Sequence, residues 1–163
     1  MTTKKHILSI QVDNEPGVLS RIAGLFSGRG YNIESLSVAA TDNPEISRVT
    51  MVTVADNYIM EQIKKQLNKL INVITVNDLT GSNFIQRGLA LIKVNAKGEN
   101  RDEIVRIVNI FRYKIVDVST DSYIIQATAK EDKLDAFIEL LKPLGIKEIV
   151  QTGSVALYRG SSN

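Results

Sequence analysis

The chain has no cysteine among its 163 residues, which removes disulfides, thiolate metal sites and a cysteine nucleophile. That composition fits a reducing compartment, and we expect a cytoplasmic protein. Histidine is nearly as scarce: His6 stands alone at the start of an alternating segment and reads as a half-exposed strand residue. With one imidazole and no thiol, soft or transition-metal coordination has no ligand set to stand on, and no Ser-His-acid arrangement can be assembled. Acidic and basic residues are interspersed and nearly balanced, with a net charge of +2. A nucleic-acid footprint needs a basic patch or stripe, so none is expected. No apolar run approaches the roughly 18 residues that would span a membrane. Met1 to Lys5 leads directly into a short alternating strand, so no signal peptide is expected.

What remains is a chain that is 44% hydrophobic, enough for a buried core. Its first half reads strand, helix, strand, strand, helix, strand. Leu8, Ile10 and Val12 alternate with Ile7, Ser9 and Gln11 as a strand with one covered face requires. Val18, Leu19, Ile22, Leu25 and Phe26 recur at helical spacing, and Gly28-Arg29-Gly30 supplies a C-cap rather than a phosphate loop. Strands follow at Tyr31 to Ala39 and Ser47 to Val54, then a helix striped by Met60, Ile63, Leu67 and Leu70, then a strand from Val73 to Leu79. The third strand reads as apolar on one side and Thr on the other, which suggests pairing with another sheet or chain.

The second half repeats this order, from a strand at Phe84 to Ala96 through two helices to a strand at Ile146 to Val150. Arg21, Ile22 and Phe26 match Arg106, Ile107 and Phe111 at one spacing, and Tyr31 and Ile33 match Tyr113 and Ile115 at another. The predicted fold class is α+β: two tandem ferredoxin-like βαββαβ modules, with antiparallel sheets carrying helices on one face. We expect modules at 1–79 and 84–163, joined by a small polar linker at 80–83. An uncovered face and free edge strands are pairing liabilities, so a homodimer is expected.

The junction Asn14-Glu15-Pro16-Gly17 carries the functional signal. A strand gives way there to the helix opening at Val18, whose first N–H groups lack intrahelical partners and can hold an anion. Gly17 permits close backbone approach, and Pro16 presets φ. Pro-Gly also serves simply to turn a chain, and both readings stand locally. The second half has Glu99-Asn100-Arg101-Asp102 where helix matching places the equivalent turn, and Tyr113-Lys114-Ile115 in place of Tyr31-Asn32-Ile33. If Pro16-Gly17 served only the fold, the second copy should need it too. Asn14 and Asn32 offer carboxamides, while Val18, Leu19 and Ile33 offer a small apolar wall. A small zwitterion with an aliphatic side chain satisfies these groups better than a phosphate does.

The run from Asn14 to Ile22, continuing as Gly24-Leu25-Phe26-Ser27-Gly28-Arg29-Gly30-Tyr31-Asn32-Ile33-Glu34-Ser35-Leu36, closely resembles the small regulatory subunits of acetolactate synthase, an ACT-domain family. Ser47-Arg48, Arg101-Asp102-Glu103, Leu134-Asp135-Ala136-Phe137 and Tyr158-Arg159-Gly160 extend the resemblance over almost the whole chain. It implies two ACT modules, a homodimer and feedback binding of valine between paired N-terminal modules. Asn14, Gly17, Val18 and Leu19 would lie on one side of that site, with Asn32 and Ile33 from the partner chain. Pro16, where some members have Ser, and Ala39 are implied as regulatory positions. The resemblance implies no catalytic residue, metal or cofactor in this chain. Thiamine diphosphate, magnesium and FAD would belong to a catalytic large subunit that this chain activates.

Two other function classes can be weighed. A stand-alone amino-acid sensor would share the module but act on another target. An RNA-binding module of the RRM kind shares the element order, yet needs aromatics on its central strands, and His6 to Ile10 and Val49 to Thr53 carry none. Asp102, Glu103 and Arg106 read as solvated first-turn charges, with contact to a catalytic partner as the alternative.

Overall fold

The computed structural model describes residues 2–160. The chain divides into two compact units, one built from residues up to 85 together with those from 153, the other from residues 86–152. In the first unit the order is β1 (Lys4–Asp13), α1 (Val18–Gly28), β2 (Ile33–Ala40), β3 (Ile46–Ala55), α2 (Asn57–Asn68) and β4 (Val73–Asp78). The sheet runs β2-β3-β1-β4 with every pairing antiparallel. Leu8, Ile10, Val12, Val49 and Met51 present one face to Val18, Ile22 and Phe26 of α1 and Met60, Ile63 and Leu67 of α2. Burial of each such side chain contributes about 1.5–3 kcal/mol. Phe26 also meets Tyr31 edge-to-face at 6.0 Å, fixing the exit from α1. Asp56 starts α2 by accepting the Ile59 N–H at 2.8 Å, a side-chain cap that α1 lacks.

The second unit holds β5 (Phe84–Asn95) from Gln86 onward, α3 (Asn100–Phe111), β6 (Lys114–Val118), β7 (Ser122–Ala129), α4 (Glu131–Leu141), a 3-10 turn at Lys142–Leu144 and β8 (Ile146–Gln151). Its sheet runs β6-β7-β5-β8, the same topology as the first. Ile92, Val94, Ile104, Phe137 and Leu141 fill the core, and Phe111, Tyr113 and Phe137 form an aromatic trio. The predicted pair of βαββαβ modules is the architecture observed.

Three expectations require correction. A further strand, β9 (Val155–Tyr158), was not anticipated, and it belongs to the first unit. Ala156 is buried there with Ile7, Val52 and Leu79, flanked by Phe84 and Tyr158, on the sheet face away from the helices. The division therefore falls within β5 and again at Gly153, rather than at the polar turn of residues 80–83. Thr50 and Thr53 do not share a side of β3: Thr50 lies opposite Ser9, and Thr53 opposite His6. His6 is not half-exposed. It is 2% exposed, and its Nδ1 lies 2.8 Å from an Asp78 carboxylate oxygen, because the turn after β4 closes over the start of β1. Thr80 completes that closure by accepting the Ile7 N–H at 3.1 Å.

Gly153 lies directly against the β2 backbone, where a Cβ would come within 2.5 Å of the Leu36 carbonyl oxygen. Neither backbone can yield cheaply, so Gly153→Ala should lower stability by about 1–3 kcal/mol, read as a lower thermal midpoint. Tyr113 offers the opposite case. Its hydroxyl is buried without a hydrogen-bond partner, and burial raises its pKa above 10.0. The neutral phenol is therefore favoured in the folded chain, and its contribution, present below the unfolded pKa, is lost as pH rises through the folded one. Tyr113→Phe should be neutral to slightly stabilising near neutral pH and should flatten the alkaline fall in stability, measured by denaturant titration.

Candidate functional site

The β1–α1 junction is a hydrogen-bonded turn. Val18 N–H points to the Glu15 carbonyl at 3.5 Å, with Pro16 and Gly17 as its central residues. Gly17 has φ 87° and ψ −9°, and this pair with Pro before it is the signature of a type II turn. A Cβ at Gly17 would meet nothing within 4 Å in the single chain, so the positive φ is what calls for glycine here. Arg21 N–H bonds the Gly17 carbonyl at 3.1 Å and begins the helical ladder. The N–H groups of Leu19 and Ser20 have no acceptor among the described residues, leaving two donors at the mouth of α1.

The turn is anchored on both sides. Asn14 N–H donates to the Glu45 carbonyl at 2.8 Å, and its side-chain Nδ2 donates to the Pro44 carbonyl at 2.9 Å. This commits the amide nitrogen to the β2–β3 turn and leaves Oδ1 as the free acceptor. On the other side Asn72 Nδ2 donates to Asp13 at 3.2 Å and Glu15 at 3.3 Å, while Arg21 Nη1 donates to Asn72 Oδ1. This polar clamp was missed in the sequence. An Asp-x-Glu pair before a helix with Arg in its first turn was a signal for it, though Asn72 lies too far along the chain to be paired by inspection.

Of the apolar positions, Val18 is 5% exposed and packs into the core, whereas Leu19 is 42% exposed beside the junction. Pro16 is exposed in the turn. Asn32 is exposed, and its carbonyl accepts from the buried Thr53 hydroxyl at 2.6 Å. Ile33 pairs with Thr53, which pairs with His6 at the start of β1, whereas Asn14 follows Asp13 at its end. Seven residues of strand separate those two levels, roughly 23 Å at 3.3 Å per residue. Asn14 with Gly17 and Asn32 with Ile33 therefore lie toward opposite ends of one sheet. Ala39, opposite Arg48 on the edge strand β2, lies toward the Asn14 end.

Backbone hydrogen bonds align the two modules differently from their helix stripes. Asp13 N–H bonds Asn72 as Asn95 N–H bonds Gly145, and Asn14 bonds Glu45 as Ala96 bonds Asp121. Val18 to Glu15 corresponds to Asn100 to Lys97, and Tyr31 to Phe26 corresponds to Tyr113 to Val108. The donors of all these pairs hold one spacing, so Ile22 matches the equally buried Ile104, and Arg21 does not match Arg106. The counterpart of Asn14-Glu15-Pro16-Gly17 is Ala96-Lys97-Gly98-Glu99, which also turns on a positive-φ glycine, Gly98 at 58°. The second module places its turn glycine one position earlier, at the counterpart of Pro16, and has Glu99 at φ −66° where the first has Gly17. The first module alone has Pro16-Gly17, the Asn14 anchor, and Asn32 where the second has Lys114.

Asp102 and Glu103 occupy the first turn of α3, and Arg106 donates to both Glu103 oxygens, holding that carboxyl below its usual range. Among the described residues no group of three or more metal-ligating side chains occurs, and no helix is long and apolar enough to cross a membrane.

Residues 8–75 match the family model of the AHAS small subunit-like ACT domain, and residues 87–160 match that of the small subunit of acetolactate synthase. A probable acetolactate synthase small subunit of Archaeoglobus fulgidus is 52% identical over 157 residues, covering 96% of this chain and 98% of that one. The acetolactate synthase small subunit of Aquifex aeolicus is 52% identical over 160 residues, covering 98% of this chain and 83% of that one. The crystal structure of the Thermotoga maritima small subunit superposes with a TM-score of 0.89 at 40% identity, covering 98% and 99% of the two chains.

Replacing Asn72 with Ala removes the hub of the clamp and leaves Asp13, Glu15 and Arg21 without it. The expected cost is about 1–3 kcal/mol in chemical denaturation. A change below a few tenths would show that the clamp does not hold the turn.

Proposed function

The chain belongs to the acetolactate synthase small-subunit family, and on that premise we propose that it is a non-catalytic regulatory subunit binding valine between two N-terminal modules. The observation that carries this reading is the separation of Asn14 and Gly17 from Asn32 and Ile33 toward opposite ends of one sheet. One chain supplies half a site at each end, and a two-fold partner supplies the complementary half. The edge strand β2 supports such pairing: β3 occupies one of its sides, and Val38 on it is 41% exposed.

Each half has its own chemistry. The Leu19 and Ser20 N–H groups, at the positive end of α1, suit the effector carboxylate. Asn14 Oδ1 suits the ammonium, with the Asn32 carboxamide meeting the same ligand from the partner. Leu19 and Ile33 supply the apolar wall for the branched side chain. Pro16 presets the turn that aims the donors, and Ala39 lies on the edge strand at that end.

In this reading the chain activates a separate catalytic subunit, which carries thiamine diphosphate, magnesium and FAD, in the cytoplasm. Inhibition requires valine to bind one state of the assembly more tightly than another. Adding the chain to its catalytic partner should raise acetolactate formation, and valine should lower it. An unchanged rate on addition would sink the subunit assignment. Calorimetry should detect valine binding by the chain itself. Gly17→Asp should weaken it at least about tenfold more than Gly17→Asn, since the two have similar shape and both tolerate the left-handed backbone, but only Asp opposes a carboxylate.

A further inference from the structure

The sheet face of the first unit opposite its helices carries a polar floor that the effector site does not use. Ser9, Thr50 and Asn77 lie opposite one another on three adjacent strands, and Arg48 is next along β3, opposite Gln11. The segment carrying β9 walls this floor and leaves a cavity of about 290 Å³ lined by Ser9, Arg48, Asn77, Leu79, Leu157 and Tyr158, among others.

Arg48 is the unusual member. Its Nε is buried without a hydrogen-bond partner, and its guanidinium makes no ion pair among the described residues. It is also the one side chain in the lining with a formal charge at neutral pH. Ser9 is 7% exposed, and no hydrogen bond occupies its hydroxyl among the described residues. Arg48 is half-buried as a residue, a buried guanidinium N–H without an acceptor is costly, and the guanidinium fork matches the two oxygens of a carboxylate or phosphate. The hydroxyls of Ser9 and Tyr158 and the carboxamide of Asn77 add neutral donors, while Leu79 and Leu157 add apolar wall.

We propose that this cavity is a second small-molecule site, selective for a compact monoanion that presents one oxyanion group to Arg48 and a short apolar portion to Leu79 and Leu157. It is separate from the junction at Gly17 and does not depend on the valine reading. A single fixed cation with no acidic neighbour in the lining favours singly charged ligands, and the small volume of the half-open cavity favours small ones.

Heteronuclear NMR of the full chain, following Arg48 Nε–H, tests this with acetate, isobutyrate and inorganic phosphate as probes and sodium chloride as the ionic-strength control. The expected result is a saturable shift at Arg48, Ser9 and Asn77 with at least one probe at millimolar concentration. Stronger binding by isobutyrate than by acetate would identify a carboxylate with an apolar portion, as proposed, whereas stronger binding by phosphate than by either carboxylate would overturn the selectivity for a monoanion with an apolar portion. Arg48→Gln should weaken the response at Ser9 and Asn77 at least tenfold, and Arg48→Lys should restore part of it. Ser9→Ala, which keeps the cation, should weaken it less. No saturable change with any probe, a response matched by chloride, or an undiminished response in folded Arg48→Gln would overturn the proposal.

Discussion

The antiparallel register of β1 on β3 is the constraint from which the rest of the first unit follows. It runs unbroken from Lys4 opposite Ala55 to Asp13 opposite Ile46. Because side chains alternate with a period of two, this register places Leu8, Ile10, Val12, Val49 and Met51 under the helices. It leaves Ile7, Ser9, Thr50 and Val52 on the opposite face, where the β9 segment meets part of them. A slip by one residue would exchange the two sets, exposing the core and burying Ser9 and Thr50 beneath α1 and α2. The same register sets the two ends of the sheet apart, with the Pro16-Gly17 turn at one and Asn32 at the other.

That separation underlies the proposal that one small-ligand site draws on two chains. An α1 mouth with two unpartnered N–H groups is a weak feature alone, since every helix start has such donors. Here the turn is held by Asn14 on the β2–β3 side and by the Asn72 clamp on the other, so its donors are presented at fixed positions. Rigid donors lose little freedom on binding, which is what an effector site requires. The second module turns on Gly98, one position earlier than Gly17, and has Ala96 in place of Asn14, so it keeps the fold without that anchor.

Most of the fold was legible because its elements are long and periodic: Leu8, Ile10 and Val12 announce a strand, and Met60, Ile63 and Leu67 a helix. β9 was not legible, being four residues long and buried through Ala156 and Tyr158 against elements distant in sequence. His6 was misjudged for the same reason, since its cover comes from Asp78 and Thr80. The helix matching of the two modules failed because Arg21-Ile22 and Arg106-Ile107 look alike, whereas hydrogen bonds to Glu45 and Asp121 fix a different correspondence. At the candidate site the sequence pointed to Asn14, Gly17 and Asn32. It could not show that one Asn14 amide group is already spent on Pro44 or that Val18 faces the core.

Complementation between two defective chains tests the two-chain site most directly. Asn14→Ala and Asn32→Ala should each abolish valine binding in homodimers while leaving the fold intact. Mixed and refolded together in equal amounts, they should regain binding at roughly a quarter of the sites, because each mixed dimer holds one doubly damaged site and one intact site. Calorimetric recovery of that fraction is the predicted result. No recovery in a preparation shown to contain mixed dimers would contradict a site shared between chains.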